Sequence, residues 1–126
     1  MGNRVVVTGL GCMTPLGNDV SSSWEACING QSGIDRITHF DPELFRCQIA
    51  GEVKKFQLPE IIPIKEAKKM DLFIQYSIGA TQEALNDSGL EITEDIEEEV
   101  GVSMGVGIGG LGCIERYSKI IEEHGP

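Results

Sequence analysis

A helix that must be buried on nearly every side constrains this chain more than any other feature. Pro63 suits the first position of a helix, because its missing N–H is one of the groups a helix start leaves unbonded anyway. No further breaker follows until Gly79, so the spacing predicts a helix running on to Ser88-Gly89. Its first turns are charged, but Leu72, Phe73, Ile74, Tyr76, Ile78, Ala80, Ala84 and Leu85 spread apolar groups around most of its girth. A chain of 126 residues rarely has enough surface left over to cover such a helix by itself.

Two apolar runs read as strands. Val5-Val6-Val7, running into Thr8-Gly9-Leu10-Gly11, has the continuous apolar pattern of a strand covered on both faces and followed by a glycine turn. Val100, Val102, Met104 and Val106 alternate with small residues as a second buried strand. Between them, Asn18 is placed to cap a helix with Val20, Trp24, Cys27 and Ile28 on its core face, and Gly30 supplies the left-handed stop. The stretch from Gln31 to about Glu52 is irregular, with a turn at Asp41-Pro42 and a short strand near Gln48-Ile49-Ala50. A last helical segment spans Ile114 to Glu123. Strand, helix, long helix, strand is the order of a layered α/β architecture, with no internal repeat, low-complexity tract or linker.

Charge removes several function classes. Twenty acidic against ten basic side chains give a formal net charge of −10, which opposes general binding to nucleic acid or anionic lipid. The longest uncharged stretch, Val100 to Ile114, has fifteen residues of which six are glycine, too short for a bilayer of roughly 30 Å. Val5 begins a β-branched run too close to Met1 for a secretory leader, so the expectation is a cytoplasmic protein without membrane contact. Met1-Gly2 does not make a myristoylation signal, because Val6 stands where Ser or Thr is needed. Cys12, Cys27, Cys47 and Cys113 contain no C-x-x-C pair and have only His39 and His124 to assist them, so no metal site is expected. Cys12, Cys27 and Cys113 sit among apolar or glycine neighbours, as small buried hydrophobes do.

Gly105-Val106-Gly107-Ile108-Gly109-Gly110 matches G-x-G-x-x-G after a predicted strand, where a helix start can hold a pyrophosphate. The second strand and acidic residue that a dinucleotide site needs about 20 positions on are missing. Glycines at this density also let a backbone, a partner subunit or an elongated apolar ligand approach closely. Lys65, Lys68 and Lys69 stand at i, i+3 and i+4, on one face of the predicted long helix, with Lys54 and Lys55 shortly upstream. This is the one basic patch of an acidic chain. Cations near a helix start oppose the macrodipole, so a docking site for an acidic partner explains them better than stability does. The acidic run Glu94, Asp95, Glu97, Glu98, Glu99 reads as a solubilising segment without metal spacing. His39 and Cys47, eight apart in the least regular region, form no recognisable catalytic turn.

Several segments together resemble one family. Arg4-Val5-Val6-Val7-Thr8-Gly9-Leu10-Gly11, Thr14-Pro15-Leu16-Gly17-Asn18, Trp24, Gly30-Gln31-Ser32-Gly33-Ile34, Lys69-Met70-Asp71, Phe73-Ile74-Gln75-Tyr76, Asp87-Ser88-Gly89-Leu90 and Gly105 through Gly112 are similar, in this order, to the start of the β-ketoacyl-[acyl-carrier-protein] synthases, and most similar to synthase II. The resemblance implies a thiolase-like layered α-β-α-β-α fold, of which residues 1–126 supply part of the first half and an incomplete domain. It also gives the apolar helix its cover, in the remainder of such a synthase.

The activity implied is fatty-acid elongation. A cysteine thiolate accepts an acyl group from acyl carrier protein, malonyl-carrier protein loses CO₂, and the carbanion attacks the acyl thioester. A lowered thiol pKa and backbone N–H donors carry that chemistry. The family's nucleophilic cysteine and two histidines fall beyond Pro126 by this likeness, so no residue here takes a catalytic role and the chain alone is expected to be inactive. Lys65, Lys68 and Lys69 match the family's basic helix that receives the acidic carrier protein, with Ala67 leaving the patch to lysines alone. Gly107 and Ile108 match the strand end at the acyl pocket, close to the dimer interface. No cofactor is implied beyond the phosphopantetheine arm that the carrier brings, and the complete protein is expected to be a homodimer. Two other readings stay open: a non-catalytic carrier-binding or chain-length-factor-like partner, and a Rossmann-type dinucleotide-binding module.

Overall fold

The computed structural model describes Gly2 and residues 4–125. The elements run α1 (Val20–Ile28), β1 (Ile34–Arg36), β2 (Ile49–Gly51), α2 (Ile64–Ala67), α3 (Leu72–Ser88), a 3₁₀ turn (Glu97–Glu99) and α4 (Leu111–His124). They fall into two compact units. One joins the segment ending at Gln57 to Gly79–Glu91, and the other joins Leu58–Ile78 to the segment from Ile92 onward.

In the first unit, two carboxylates on α3 hold the chain that precedes α1. Glu83 accepts from the Cys12 N–H through Oε2 at 2.9 Å and from the Val20 N–H through Oε1 at 2.8 Å, and Asp87 Oδ2 accepts from the Leu10 N–H at 2.9 Å. Gly11 lies so close to α3 that a Cβ there would meet the Ala80 carbonyl oxygen and, at 2.7 Å, the Ala84 nitrogen. Only a residue without a side chain fits that approach. Thr14 closes a tight turn: its Oγ accepts from the N–H groups of Leu16 and Gly17, both at 3.1 Å, and lies 2.9 Å from the Ser23 Oγ.

Helix α1 begins one residue later than the sequence suggests. Asp19 is the cap, its Oδ1 accepting from the Ser22 N–H at 2.7 Å. Asn18 is not available for that task, because its Nδ2 donates to the carbonyls of Lys54 and Lys55 at 2.9 and 3.2 Å. Lys55 itself is held at a φ of 54°. The covered face of α1 is also not the expected one: Ser23 and Ala26 are buried, while Trp24, Cys27 and Ile28 are exposed. Gly30 ends the helix at a φ of 65°, as read from the sequence.

Strands β1 and β2 pair antiparallel, with Ile34 opposite Gly51, Asp35 opposite Ala50 and Arg36 opposite Ile49. The short strand read near Ile49 is therefore present, with β1 as its partner. Lys54 Nζ meets Asp35 Oδ2 at 2.7 Å across the base of the hairpin, and the rings of Phe40 and Phe45 pack edge to face at 5.4 Å in its loop.

The second unit shows why the long helix does not run through. Gln75 Nε2 donates to the carbonyls of Ala67 and Met70 at 3.1 and 3.0 Å, taking acceptors that a continuous helix would have offered to the backbone. Lys68 caps α2, and α3 restarts with the Asp71 carbonyl accepting from Ile74 and Gln75. Pro63 stands at the N-cap of α2, one position earlier than its expected place inside the helix. Gly79 does not interrupt α3, which reaches Ser88 before Gly89 turns at a φ of 64°. Gly110, at a φ of 79°, leads into α4, three residues ahead of the expected start.

Among the described residues β1 and β2 form the one sheet, and the expected strands at Val5–Val7 and Val100–Val106 have no ladder. Val5, Val7 and Val102 are 91%, 80% and 82% exposed. On α3 only Gly79 is fully buried. The strands and the girth of α3 are written as buried surface, and the chain described here does not cover them.

Candidate functional site

The basic patch lies at the end of α2 and in the turn that follows it, rather than along one long helix. Lys65 is on α2, Lys68 is its C-cap and Lys69 is in the turn, all three exposed. Lys69 Nζ is held by Glu66 Oε1 at 2.8 Å. The Lys68 N–H donates to the Ile64 carbonyl at 3.4 Å and the Lys69 N–H to the Glu66 carbonyl at 2.9 Å, which keeps the segment helical in spacing after α2 ends. Lys54 and Lys55 belong to the other unit, where Lys54 is taken up by Asp35.

Lys68 and Lys69 open onto a cavity of about 300 Å³, whose other walls are Met70, Asp71, Cys113, Arg116 and Tyr117. Lys65, Gly107 and Ile108 are not among its walls. The last two lie in the bend before α4, where Ile108 is 80% exposed. Asp71 belonged to a recognisable segment, Lys69-Met70-Asp71. Arg116 and Cys113 carried no such signal, because α4 brings them to the turn from more than forty positions away.

The centre of this cavity is a thiol–carboxylate contact. Cys113 Sγ donates to Asp71 Oδ1 at 3.1 Å. That hydrogen bond, followed by desolvation and the charge of Asp71, pushes the Cys113 thiol above its ordinary pKa, against a smaller opposing effect of Arg116. The thiol is thus kept protonated, the opposite of what a nucleophile needs. Cys12 is half-buried, and Cys27 and Cys47 are exposed, so the expected burial fails outright for Cys27. Among the described residues no three His, Cys, Asp or Glu side chains gather to hold a metal ion, and no helix is long and apolar enough to cross a membrane.

The glycine motif is built differently from a pyrophosphate cradle. Val106 ends no strand, and a Cβ at Gly110 would stand 3.0 Å from Asp71 Oδ2, so a carboxylate already occupies the space beside the start of α4. A phosphate placed there would meet like charge. Gly109 instead lets the chain pass the ring of Phe73, 3.0 Å from where its Cβ would be.

Comparison with known proteins gives a consistent result. The family described as beta-ketoacyl synthase, N-terminal domain, matches residues 2–124. Over 123 residues the chain is 54% identical to 3-oxoacyl-[acyl-carrier-protein] synthase 2 of Vibrio harveyi, covering 98% of this chain and 30% of that protein. The protein of the same name from Staphylococcus aureus (strain COL) is 44% identical over the same coverage. The chain thus spans about 30% of the length of these relatives. Among solved structures, a beta-ketoacyl synthase from Burkholderia phymatum STM815 superposes with a TM-score of 0.75 at 27% identity, covering 94% of this chain and 30% of the other. The ishigamide ketosynthase/chain length factor gives a TM-score of 0.60 at 33% identity, over 71% of this chain and 22% of that one.

Proposed function

Because this chain belongs to the beta-ketoacyl synthase family, through that family's N-terminal domain, we propose that it serves the decarboxylative condensation of an acyl thioester with malonyl-carrier protein in fatty-acid elongation. Its own share is to receive the carrier protein. The observation that carries this reading is the turn after α2. On a chain of net charge −10, Lys65 on α2 and Lys68 at its C-cap stand exposed beside that turn, and among the described residues neither forms an ion pair with a carboxylate. Exposed cations of this kind attract an acidic partner over a distance, setting its association rate and salt sensitivity.

The carrier brings the phosphopantetheine arm, so the chain needs no cofactor of its own, and the full protein works in the cytoplasm as a homodimer. Gly107 and Ile108 line the acyl pocket beside the dimer interface, where a larger side chain at Gly107 would shorten the accepted acyl chain. The chemistry falls to groups outside these residues: Cys113 is held as a thiol by Asp71, and the thiols of Cys12 and Cys47 donate to the Ser23 hydroxyl and the Ile49 carbonyl rather than to a base.

A second reading rests on the likeness to a ketosynthase/chain length factor: a partner subunit that shares the fold and shapes the pocket without performing the condensation. One experiment separates the two. In the natural polypeptide carrying these residues at its full length, Lys65→Glu, Lys68→Glu and Lys69→Glu together should lower carrier-protein affinity and flatten its salt dependence. They should cost far more turnover with carrier-bound substrate than with a short free thioester. Carrier binding without turnover in the unaltered protein favours the partner-subunit reading, and equal loss on both substrates means the lysines serve folding.

A further inference from the structure

We infer that Arg116 is a fourth docking cation, so that the carrier protein is gripped across two elements, the turn after α2 and the exposed side of α4. The inference rests on the proposed carrier-docking role of Lys65, Lys68 and Lys69 and extends it to a residue outside that patch. Arg116 lines the same cavity as Lys68 and Lys69. A cavity of about 300 Å³ is small enough for one partner surface to meet all of these cations together.

Among the described residues neither Arg116 nor Lys68 forms an ion pair. Glu66 is paired with Lys69 at 2.8 Å and Glu115 with Lys119 at 2.7 Å, while Asp71 keeps its charge, accepts from the Cys113 thiol at 3.1 Å and forms no ion pair with either cation. Two cations without ion pairs around one cavity of an acidic chain make a local patch that an anionic partner can meet.

The partner that fits is an acidic protein surface rather than a single small anion. Lys68, Lys69 and Arg116 are exposed, while the Asp71 carboxylate is half-buried beside the start of α4, where it repels an anion pushed inward. Two carboxylates presented side by side can meet Lys68 and Arg116 together without entering. The planar guanidinium also offers a paired, directional contact that a lysine cannot. Tyr117, 58% exposed next to Arg116, supplies an amphipathic contact at the edge.

The test uses the natural polypeptide at full length and the acyl carrier protein, with affinity and association rate measured at low and physiological salt. Arg116→Glu should weaken binding about five-fold or more at low salt, chiefly through slower association, and flatten the salt dependence. Arg116→Lys should recover most of the association rate. If Arg116→Glu does not fold, Arg116→Gln carries the test, with an expected two-fold or greater loss and the same flattening. Unchanged binding in the Arg116 variants, with Lys68→Glu still weakened, overturns the inference and leaves the docking reading standing. Unchanged binding in both sets overturns both. A loss that comes with a lowered unfolding temperature and is not recovered by Arg116→Lys also overturns the inference, since it makes Arg116 a structural residue.

Discussion

Glu83 is the side chain on which the first unit depends most, and its removal can be costed. Its two oxygens accept from the N–H groups of Cys12 and Val20 at 2.9 and 2.8 Å, and the residue is half-buried on α3. A backbone bond to a charged acceptor is worth about 1.5–3 kcal/mol, and partial exposure argues for the lower end. Glu83→Ala strands both donors and should cost about 3 kcal/mol. Glu83→Gln is the sharper test. The amide keeps one oxygen but turns an NH₂ toward the other backbone donor, so it should cost about 2 kcal/mol although shape and volume hardly change. The assay is amide hydrogen exchange with denaturant unfolding in the natural full-length polypeptide. A loss of about 1.4 kcal/mol in local opening speeds exchange ten-fold at the Cys12 or Val20 amide. If Glu83→Gln leaves both amides exchanging at the original rate, the two-oxygen clamp is not what holds this segment, and the reasoning fails.

Other consequences can be checked directly. Gly11→Ala should destabilise by about 2–3 kcal/mol, because the new methyl group meets the Ala80 carbonyl and the Ala84 nitrogen of α3, neither of which can swing away; a denaturation midpoint within error of the original would refute it. The Glu52 carboxyl is held below its ordinary value of 4.5, first by the Thr38 hydroxyl and then by backbone N–H groups of Thr38 and His39. Its contribution is therefore complete above pH 4.5 and fades only as pH falls through the lower, folded value, which amide protection at Thr38 and His39 should follow. Cys113 should react with iodoacetamide more slowly than the exposed Cys27 and Cys47, and Asp71→Asn should speed it by removing the charge and weakening the acceptor that hold the proton. The 126-residue chain expressed alone should self-associate through its uncovered apolar surface; a cooperatively unfolding monomer by sedimentation would contradict that.

The sequence made local features readable and left pairings across distance unread. Gly30, Gly89 and β2 could be read because turn and strand signals act over a few residues. The break between α2 and α3 could not, since it depends on the Gln75 amide reaching back five and eight positions. Asn18 and Asp19 are both good caps by type, and what decides between them is a pair of carbonyls at Lys54 and Lys55. For the same reason Lys68 and Lys69 were visible as a patch, whereas Arg116 became a neighbour only once α4 was in place. The apolar periodicity of Val5–Val7 and Val100–Val106 reports a preference for burial, whereas among the described residues these segments are largely exposed.

Those two valine-rich segments also set a clock. Exposed as they are here, neither belongs to a ladder among the described residues, and any ladder they close with a distant stretch forms late and slowly. At about 5–20 residues per second of synthesis, Val5–Val7 waits several seconds before the second segment has even emerged from the ribosome. Through that interval the nascent chain presents an uncharged, β-prone stretch of the sort chaperones capture and neighbouring chains pair with. For this protein the yield of folded material in a crowded cell is then governed less by final stability than by how long Val5–Val7 stays guarded.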